Sequence, residues 1–140
     1  MSENYKIISK FIKDISGETP NIETYLYVKD FISKYQLNIE INSKALKNQI
    51  IEVNTVLKFH DNSESKKKSH FEMTYTSVVK LSEEIKDKNV MQKIVLCDVQ
   101  KEVYPEIEKA LLNLLHTSGY PGVQFLKKVD FEELYKKNFN

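Results

Sequence analysis

Cysteine, glycine, proline and tryptophan are all scarce in this sequence of 140 residues, which contains one Cys, three Gly, three Pro and no Trp. The single cysteine, Cys97, excludes an intrachain disulfide, and it fits a reducing compartment such as the cytosol. The glycines are scattered at Gly17, Gly119 and Gly122, so the clustered glycines of a phosphate-binding loop are missing. The chain therefore has no recognisable motif for consuming ATP.

Long apolar runs and an excess of charge of one sign are missing as well. No window approaches the roughly 18 consecutive apolar residues of a membrane-spanning helix. The opening residues, MSENYK, lack the basic start and apolar stretch of a signal peptide. Lys and Arg number 21 against 20 Asp and Glu, whereas a dedicated nucleic-acid-binding protein would present a basic face. These features predict a cytoplasmic protein with a single domain over residues 1–140.

Alternating apolar and polar residues predict strands in the first part of the chain. Residues 6–16 are apolar on both faces, and Gly17 and Pro20 are expected to end this strand. Three further segments alternate like half-buried strands, namely 37–41, 51–59 and 71–79. The polar stretch 61–69 is typical of a hairpin loop, and such short connections favour an antiparallel sheet. Residues 21–36 show no period, so they are expected to be irregular.

From residue 82 the pattern becomes helical. A short helix is predicted around residues 90–95, and Pro105 is predicted to start a new helix, because a first-turn proline loses no intrahelical bond. That helix carries an apolar stripe with helical spacing, formed by Ile107, Ala110, Leu111, Leu114 and Leu115. Gly119 is expected to end it, and Asp130 with Glu133 is expected to begin a last short helix. The pattern predicts an α+β fold, with helices on one face of a sheet.

Side chains that often carry chemistry are present but not in specific arrangements. His60 and His70 flank the polar loop, yet a metal site needs a third or fourth ligand, and Asp61 and Glu64 lie nearby at an unspecific spacing. We therefore interpret both as solvated loop histidines. Cys97 follows apolar residues and is interpreted as a buried structural thiol. The sequence predicts no catalytic residue, metal or cofactor, and hence no enzyme.

Aromatic side chains are the unusual feature, with 8 Tyr and 7 Phe. Many lie outside the regular stripes, and exposed apolar patches on a soluble protein mark binding surfaces. The alternative is that tyrosines cover the sheet with their hydroxyls in water. The residues alone thus indicate a soluble α+β domain that is a binding module, and they do not name a ligand.

Three regions resemble the SecB family of protein-export chaperones, namely residues 13–21, 29–31 and 104–139. Residues 13–21 read KDISGETPN and are similar to the family's K-D-[IL]-S-x-E-x-P-N signature. Residues 118–121 (SGYP) and 129–135 (VDFEELY) resemble the family's turn and closing helix, and Tyr104-Pro105 resembles its helix start. Residues 29–31 (KDF) look like the family's K-D-W segment with altered spacing. The resemblance covers nearly the whole chain, with its motifs in the family's order.

The resemblance implies a fold and an assembly. It implies a four-stranded antiparallel sheet with two main helices packed on one face, and a homotetramer built as a dimer of dimers. Six apolar residues of the first strand and the 105–117 helix become candidates for the interface between protomers, namely Ile7, Phe11, Ile107, Leu111, Leu114 and Leu115. The alternative for all six is an ordinary monomer core.

The resemblance also implies a function: an ATP-independent chaperone that holds unfolded preproteins for the Sec translocase. Clients would bind in a groove beside the last helix, with candidate residues Phe31, Tyr104, Phe125, Phe131, Leu134 and Tyr135. Release would need a competing partner, which in the family is the SecA motor ATPase. Candidate SecA contacts are Asp14, Glu18 and Glu72.

This chain departs from the family pattern in charge. Its net charge is +1 whereas typical members are acidic, and it closes with KKNFN in place of the acidic tail that is frequent in the family. Thr74 stands at a position that is acidic in the family. The alternatives are a SecB-like chaperone dedicated to one client such as an antitoxin, a small-ligand or metal-binding enzyme, and a domain that serves only for oligomerisation.

Overall fold

A computed structural model of the protein describes residues 4–83 and 85–139. Its sheet has four antiparallel strands in the order β1–β4–β3–β2, which are β1 (Tyr5–Glu18), β2 (Gln36–Ala45), β3 (Ile50–His60) and β4 (His70–Leu81). All four strands predicted from the alternation are confirmed, and so is the loop at 61–69. Because β1 and β2 are the outer strands, each has one edge without a strand neighbour among the described residues.

Strand β1 does not stop at Gly17 as the sequence suggested. Gly17 is paired with Phe71 inside the ladder, and the strand continues to Glu18. A Cβ atom on Gly17 would lie 3.1 Å from the Phe71 ring and 3.4 Å from the Leu114 side chain. The glycine is thus explained by close packing against a neighbouring side chain rather than by a chain break.

Residues 21–36 are not irregular, because they contain helix α1 (Ile22–Phe31) and a 3₁₀ turn, Ile32–Lys34. The Asn21 side chain accepts a hydrogen bond from the backbone N–H of Thr24 at 2.8 Å, which caps the helix. The prediction missed α1 because the large apolar side chains Ile22 and Leu26 are exposed, whereas Thr24 and Val28 are buried. Hydrophobic periodicity does not identify a helix that leaves its bulky apolar residues in water.

A third correction concerns Pro105, which lies inside a helix and does not start one. Helix α2 (Lys88–Lys93), a π-helical turn at Ile94–Asp98 and helix α3 (Val99–Thr117) follow one another without a break. The proline cannot donate to the carbonyl one turn earlier, that of Lys101. Both residues are exposed, so water can satisfy this carbonyl.

The stripe on α3 faces the sheet. Ile107, Leu111 and Leu115 are fully buried in the same core as Leu57 and Met73 of the central strands. These three side chains were predicted at an interface between protomers, but the protomer covers them itself. Leu114 is only half-buried.

The predicted end of α3 and the predicted start of helix α4 (Phe131–Phe139) are both confirmed. Gly119 has φ of 106°, a left-handed conformation that favours glycine, directly after the last turn of α3. The Asp130 side chain accepts a hydrogen bond from the backbone N–H of Glu133 at 3.1 Å, which caps α4. No helix within the described residues is long and apolar enough to cross a membrane.

Candidate functional site

A groove of about 830 Å³ runs between strand β2, the segment 124–130 and helix α4. Its apolar lining consists of Leu37, Ile39, Phe125, Leu126, Val129 and Leu134. Exposed apolar surface of this kind is unusual on a soluble protein and indicates a binding site.

Strand β2 forms one wall because it is an outer strand of the sheet. Leu37 and Ile39 lie opposite Phe59 and Leu57 of β3, so they point to the side of the sheet that the helices cover. Both are half-buried. The free edge of β2 also leaves backbone N–H and C=O groups without a strand partner, so an extended peptide could pair there.

The segment 124–130 forms the second wall without helix or strand structure. Phe125 packs edge-on against Phe59, with ring centroids 5.7 Å apart, and this contact fixes the segment to the sheet. The next residue, Leu126, is 86% exposed. Leu126 is therefore the apolar side chain most available to a ligand in this groove.

Helix α4 forms the third wall and is anchored by an aromatic pair. Phe131 is 4% exposed, and its ring centroid lies 5.0 Å from that of Tyr104 on α3. Burial raises the pKa of the Tyr104 phenol above its ordinary value. On the surface, Lys101 Nζ and Glu132 Oε1 are 2.6 Å apart, and this contact lowers the pKa of the Glu132 carboxyl. These contacts hold α4 so that Leu134 lines the groove.

The structure brings only part of the predicted groove together. Phe125 and Leu134 line it. Tyr104 and Phe131 are buried between α3 and α4 and support the wall instead. Phe31 lies outside the groove on α1.

Tyr135, the sixth predicted residue, is half-buried and packs against the core. Sequence reasoning missed Leu37, Ile39, Leu126 and Val129 as groove residues. The one sequence feature that pointed to a binding surface here was a pair of large apolar residues, Phe125 and Leu126, in a segment without helix or strand periodicity. Nothing in the sequence shows that this segment faces β2.

A second candidate surface is the face of the sheet opposite the helices. Asp14 lies opposite Thr74, Glu18 opposite His70, and Ser16 opposite Glu72. Partners across a ladder share a face, so the predicted acidic residues lie together on this outer face. Lys58 Nζ is 3.7 Å from the Glu72 carboxylate.

Strand β1 carries exposed apolar side chains on both of its faces, as its sequence predicted. Ile8, Phe11, Ile12 and Ile15 are all exposed, while Ile7 is half-buried against the core. This concentration on an outer strand with a free edge is a candidate contact with another chain.

The histidines are not part of a metal site in the described residues, which contain no group of three or more His, Cys, Asp or Glu able to hold a metal ion. His60 ends β3 and His70 begins β4, on either side of the hairpin loop. Cys97 is fully buried, and burial raises the pKa of its thiol.

Comparison with protein families gives one match over the full length. A family model described as preprotein translocase subunit SecB matches residues 1–140. A Pelagibacter ubique protein with the provisional name protein-export protein SecB is 61% identical over 140 residues, which is 100% of both chains. The protein-export protein SecB of a Bradyrhizobium strain is 25% identical over 136 residues, covering 94% of this chain and 80% of that protein.

Solved structures share the fold at low sequence identity. A SecB-like chaperone of Mycobacterium tuberculosis, solved in complex with a peptide from the HigA1 antitoxin, matches with a TM-score of 0.65 and 10% identity. The match covers 89% of this chain and 91% of that one. A Streptococcus agalactiae protein of unknown function matches with a TM-score of 0.50 and 8% identity, covering 91% of this chain and 100% of that one.

Proposed function

The chain belongs to the SecB family of protein-export chaperones, and we propose that its groove holds apolar and aromatic segments of unfolded preproteins in the cytosol before export. The observation that supports this most directly is the apolar groove of about 830 Å³, lined by six apolar side chains, beside the free edge of β2. Mobile unfolded chains would bury their own apolar side chains there.

Binding to many different clients follows from the type of contact. Flat rings and aliphatic side chains accept varied partners, and an extended client can add backbone hydrogen bonds at the β2 edge. Several weak contacts along one long chain add up to a stable complex. Because no nucleotide-binding motif is present in the sequence, holding needs no ATP and release needs a competing partner.

We also propose that the protein assembles as a homotetramer, a dimer of dimers. The exposed apolar side chains of β1 would pair with those of a second copy. The interface candidates that remain are the exposed Phe11 and the half-buried Ile7 and Leu114. A free strand edge next to apolar side chains favours such pairing.

Replacing Leu126 by aspartate tests the groove. Burying a leucine contributes about 1.5–3 kcal/mol, so we expect the affinity for an unfolded preprotein to fall by roughly 10- to 100-fold. Stability should stay unchanged because the side chain is exposed. The measurement is native mass and preprotein affinity without ATP, with the exposed Ile22→Asp on α1 as the matched control. Unchanged affinity of the Leu126 variant would exclude the groove as the client site, and a wild-type monomer would exclude the tetramer.

We propose that the outer-face carboxylates Asp14, Glu18 and Glu72 contact the SecA motor ATPase. We expect the triple variant Asp14→Asn, Glu18→Gln, Glu72→Gln to bind SecA about tenfold more weakly, because three partly exposed charge pairs would be lost. Titration of SecA at low and high salt measures this, and Glu23→Gln on α1 serves as the control. Equal SecA affinity of the wild type and the triple variant would contradict the assignment, while preprotein affinity should not change.

A dedicated chaperone is the second candidate function. The observation in its favour is that the Mycobacterium tuberculosis SecB-like chaperone with the same fold was solved with an antitoxin peptide. Binding of a panel of unrelated unfolded precursors separates the two functions. Capture of several precursors supports a general export chaperone, and capture of one alone supports the dedicated form.

A further inference from the structure

We propose that the groove selects unfolded segments in which acidic residues flank an apolar or aromatic core. This inference rests on the proposed client function and adds the chemistry of the preferred client. Its starting point is a set of three lysines that line the groove together with the apolar side chains: Lys127, Lys128 and Lys137.

Within the described residues, none of these three lysines forms an ion pair. Among the side chains that the structure describes, the ion pairs use Lys10, Lys13, Lys58 and Lys101, and none of them uses a groove lysine. A charged amine beside an apolar wall, without a carboxylate of its own, is available to pair with a carboxylate of a bound peptide.

Two carboxylates also line the groove, but both lie at the N-terminal end of α4. Asp130 precedes the helix and caps it by accepting the backbone N–H of Glu133. Glu133 belongs to the first turn. The positive end of the helix dipole offsets part of the negative charge at these positions. The groove lining carries three lysines against these two carboxylates, so its net charge is positive.

The same combination of amines and apolar surface continues beyond one end of the groove. There the Asn62 side chain donates to the Gln36 side chain at 2.6 Å, which joins the hairpin loop to the groove wall. The same hairpin loop also reaches helix α1, where the rings of Tyr27 and Phe31 pack at a tilt with centroids 4.7 Å apart.

Two further lysines lie over these rings. Lys34 Nζ is 5.3 Å from the Phe31 centroid, and Lys67 Nζ is 5.9 Å from the Tyr27 centroid. An aromatic client side chain can pack on the exposed Phe31 while a neighbouring carboxylate meets these amines. Phe31, which the sequence analysis placed in the groove, thus belongs to an extension of the client surface.

Selectivity arises because the amines act on flanking residues rather than on the buried core of the client. The groove amines attract acidic residues that flank the client's apolar core, leave neutral flanking residues unaffected, and repel basic ones. The contacts are partly exposed, so each is weak and screened by salt, and only several together give a clear preference.

Three peptides with one apolar, aromatic core test the proposal, with two Glu, two Gln or two Lys at each end. We expect the Glu-flanked peptide to bind roughly 5- to 10-fold more tightly than the Gln-flanked one, and the Lys-flanked peptide to bind most weakly. Fluorescence anisotropy at low salt measures this, and about 0.5 M salt should largely remove the differences.

The triple variant Lys127→Gln, Lys128→Gln, Lys137→Gln should bind all three peptides with similar affinity. The control has the same change in charge on lysines outside the groove, namely Lys86→Gln, Lys88→Gln and Lys109→Gln, and it should keep the wild-type order. Retention of that order in the groove variant would overturn the assignment to these lysines.

The remaining outcomes separate the proposed charge selectivity from the proposed binding of clients in the groove. If all three peptides bind equally well to the wild type, the selectivity is overturned while the chaperone groove stands. If none of them binds, the groove function fails and the inference fails with it. If a single-stranded oligonucleotide binds more tightly than the Glu-flanked peptide and depends on the same lysines, these amines serve a nucleic acid, and the proposal is overturned.

Discussion

Replacing Leu111 by aspartate is expected to unfold the protomer, not merely to separate protomers. Leu111 is 0% exposed in the core between α3 and the sheet. Leu→Ala at such a site costs about 2–5 kcal/mol, and an unpaired buried carboxylate costs more. A small domain has only about 5–15 kcal/mol of stability, so the aspartate variant should lose its helical circular dichroism at any protein concentration.

The graded form of this experiment uses Leu111→Ala, whose free energy of unfolding should fall by about 2–5 kcal/mol. Leu114→Ala is the matched control on the same helix, because this leucine is only half-buried, and a smaller loss is expected. A Leu111→Asp protein that stays folded as a monomer would contradict the core assignment. It would restore the sequence-based interpretation of this stripe as an interface between protomers.

The second large effect is expected for Phe131→Ala. The ring is 4% exposed and packs on Tyr104, and removing a buried phenylalanine costs about 3–5 kcal/mol. Helix α4 should therefore detach, and preprotein affinity should fall together with the lost wall of the groove. Hydrogen exchange of the α4 amides and preprotein binding measure the two effects on the same sample.

Glu132→Gln is the control for this helix. It removes the surface pair with Lys101, and because both side chains are exposed, stability should hardly change and client binding should stay intact. If Phe131→Ala kept α4 protected from exchange but still lost preprotein binding, then Phe131 would contact the client directly. The sequence-based assignment of Phe131 to the groove would then be right, and its role as an anchor would be wrong.

Removing the exposed Leu126 and removing the buried Phe131 would affect the same groove by different routes. Leu126 is expected to change affinity without changing stability, whereas Phe131 is expected to change both. Measuring both properties on both variants therefore separates contact with the client from support of the wall. The charge-altered peptides add a third independent readout, because the groove lysines lie at the surface and their replacement should leave the fold intact.

The sequence by itself determined the strands, because a period of two is imposed by the backbone of every strand. The pairing of β1 with the distant β4 is not recorded in that period. Alternation along β2, β3 and β4 identified which side chains face the core. Residues that end or cap a helix were equally informative, because contacts between near neighbours in sequence decide where a helix begins or ends. Gly119 after α3 and Asp130 before α4 are the two examples. The family motifs were readable for a similar reason, since they are short runs of adjacent residues.

Only the tertiary structure decided which apolar residues are covered. The stripe on α3 has the same pattern whether it meets the sheet of its own protomer or another protomer, and the fold directs Leu111 inward. Helix α1 escaped prediction because packing left Ile22 and Leu26 in water. The groove forms because residues 124–130 lie beside β2, although the two segments are far apart in sequence. A local hydrophobic period cannot predict a contact between such distant segments.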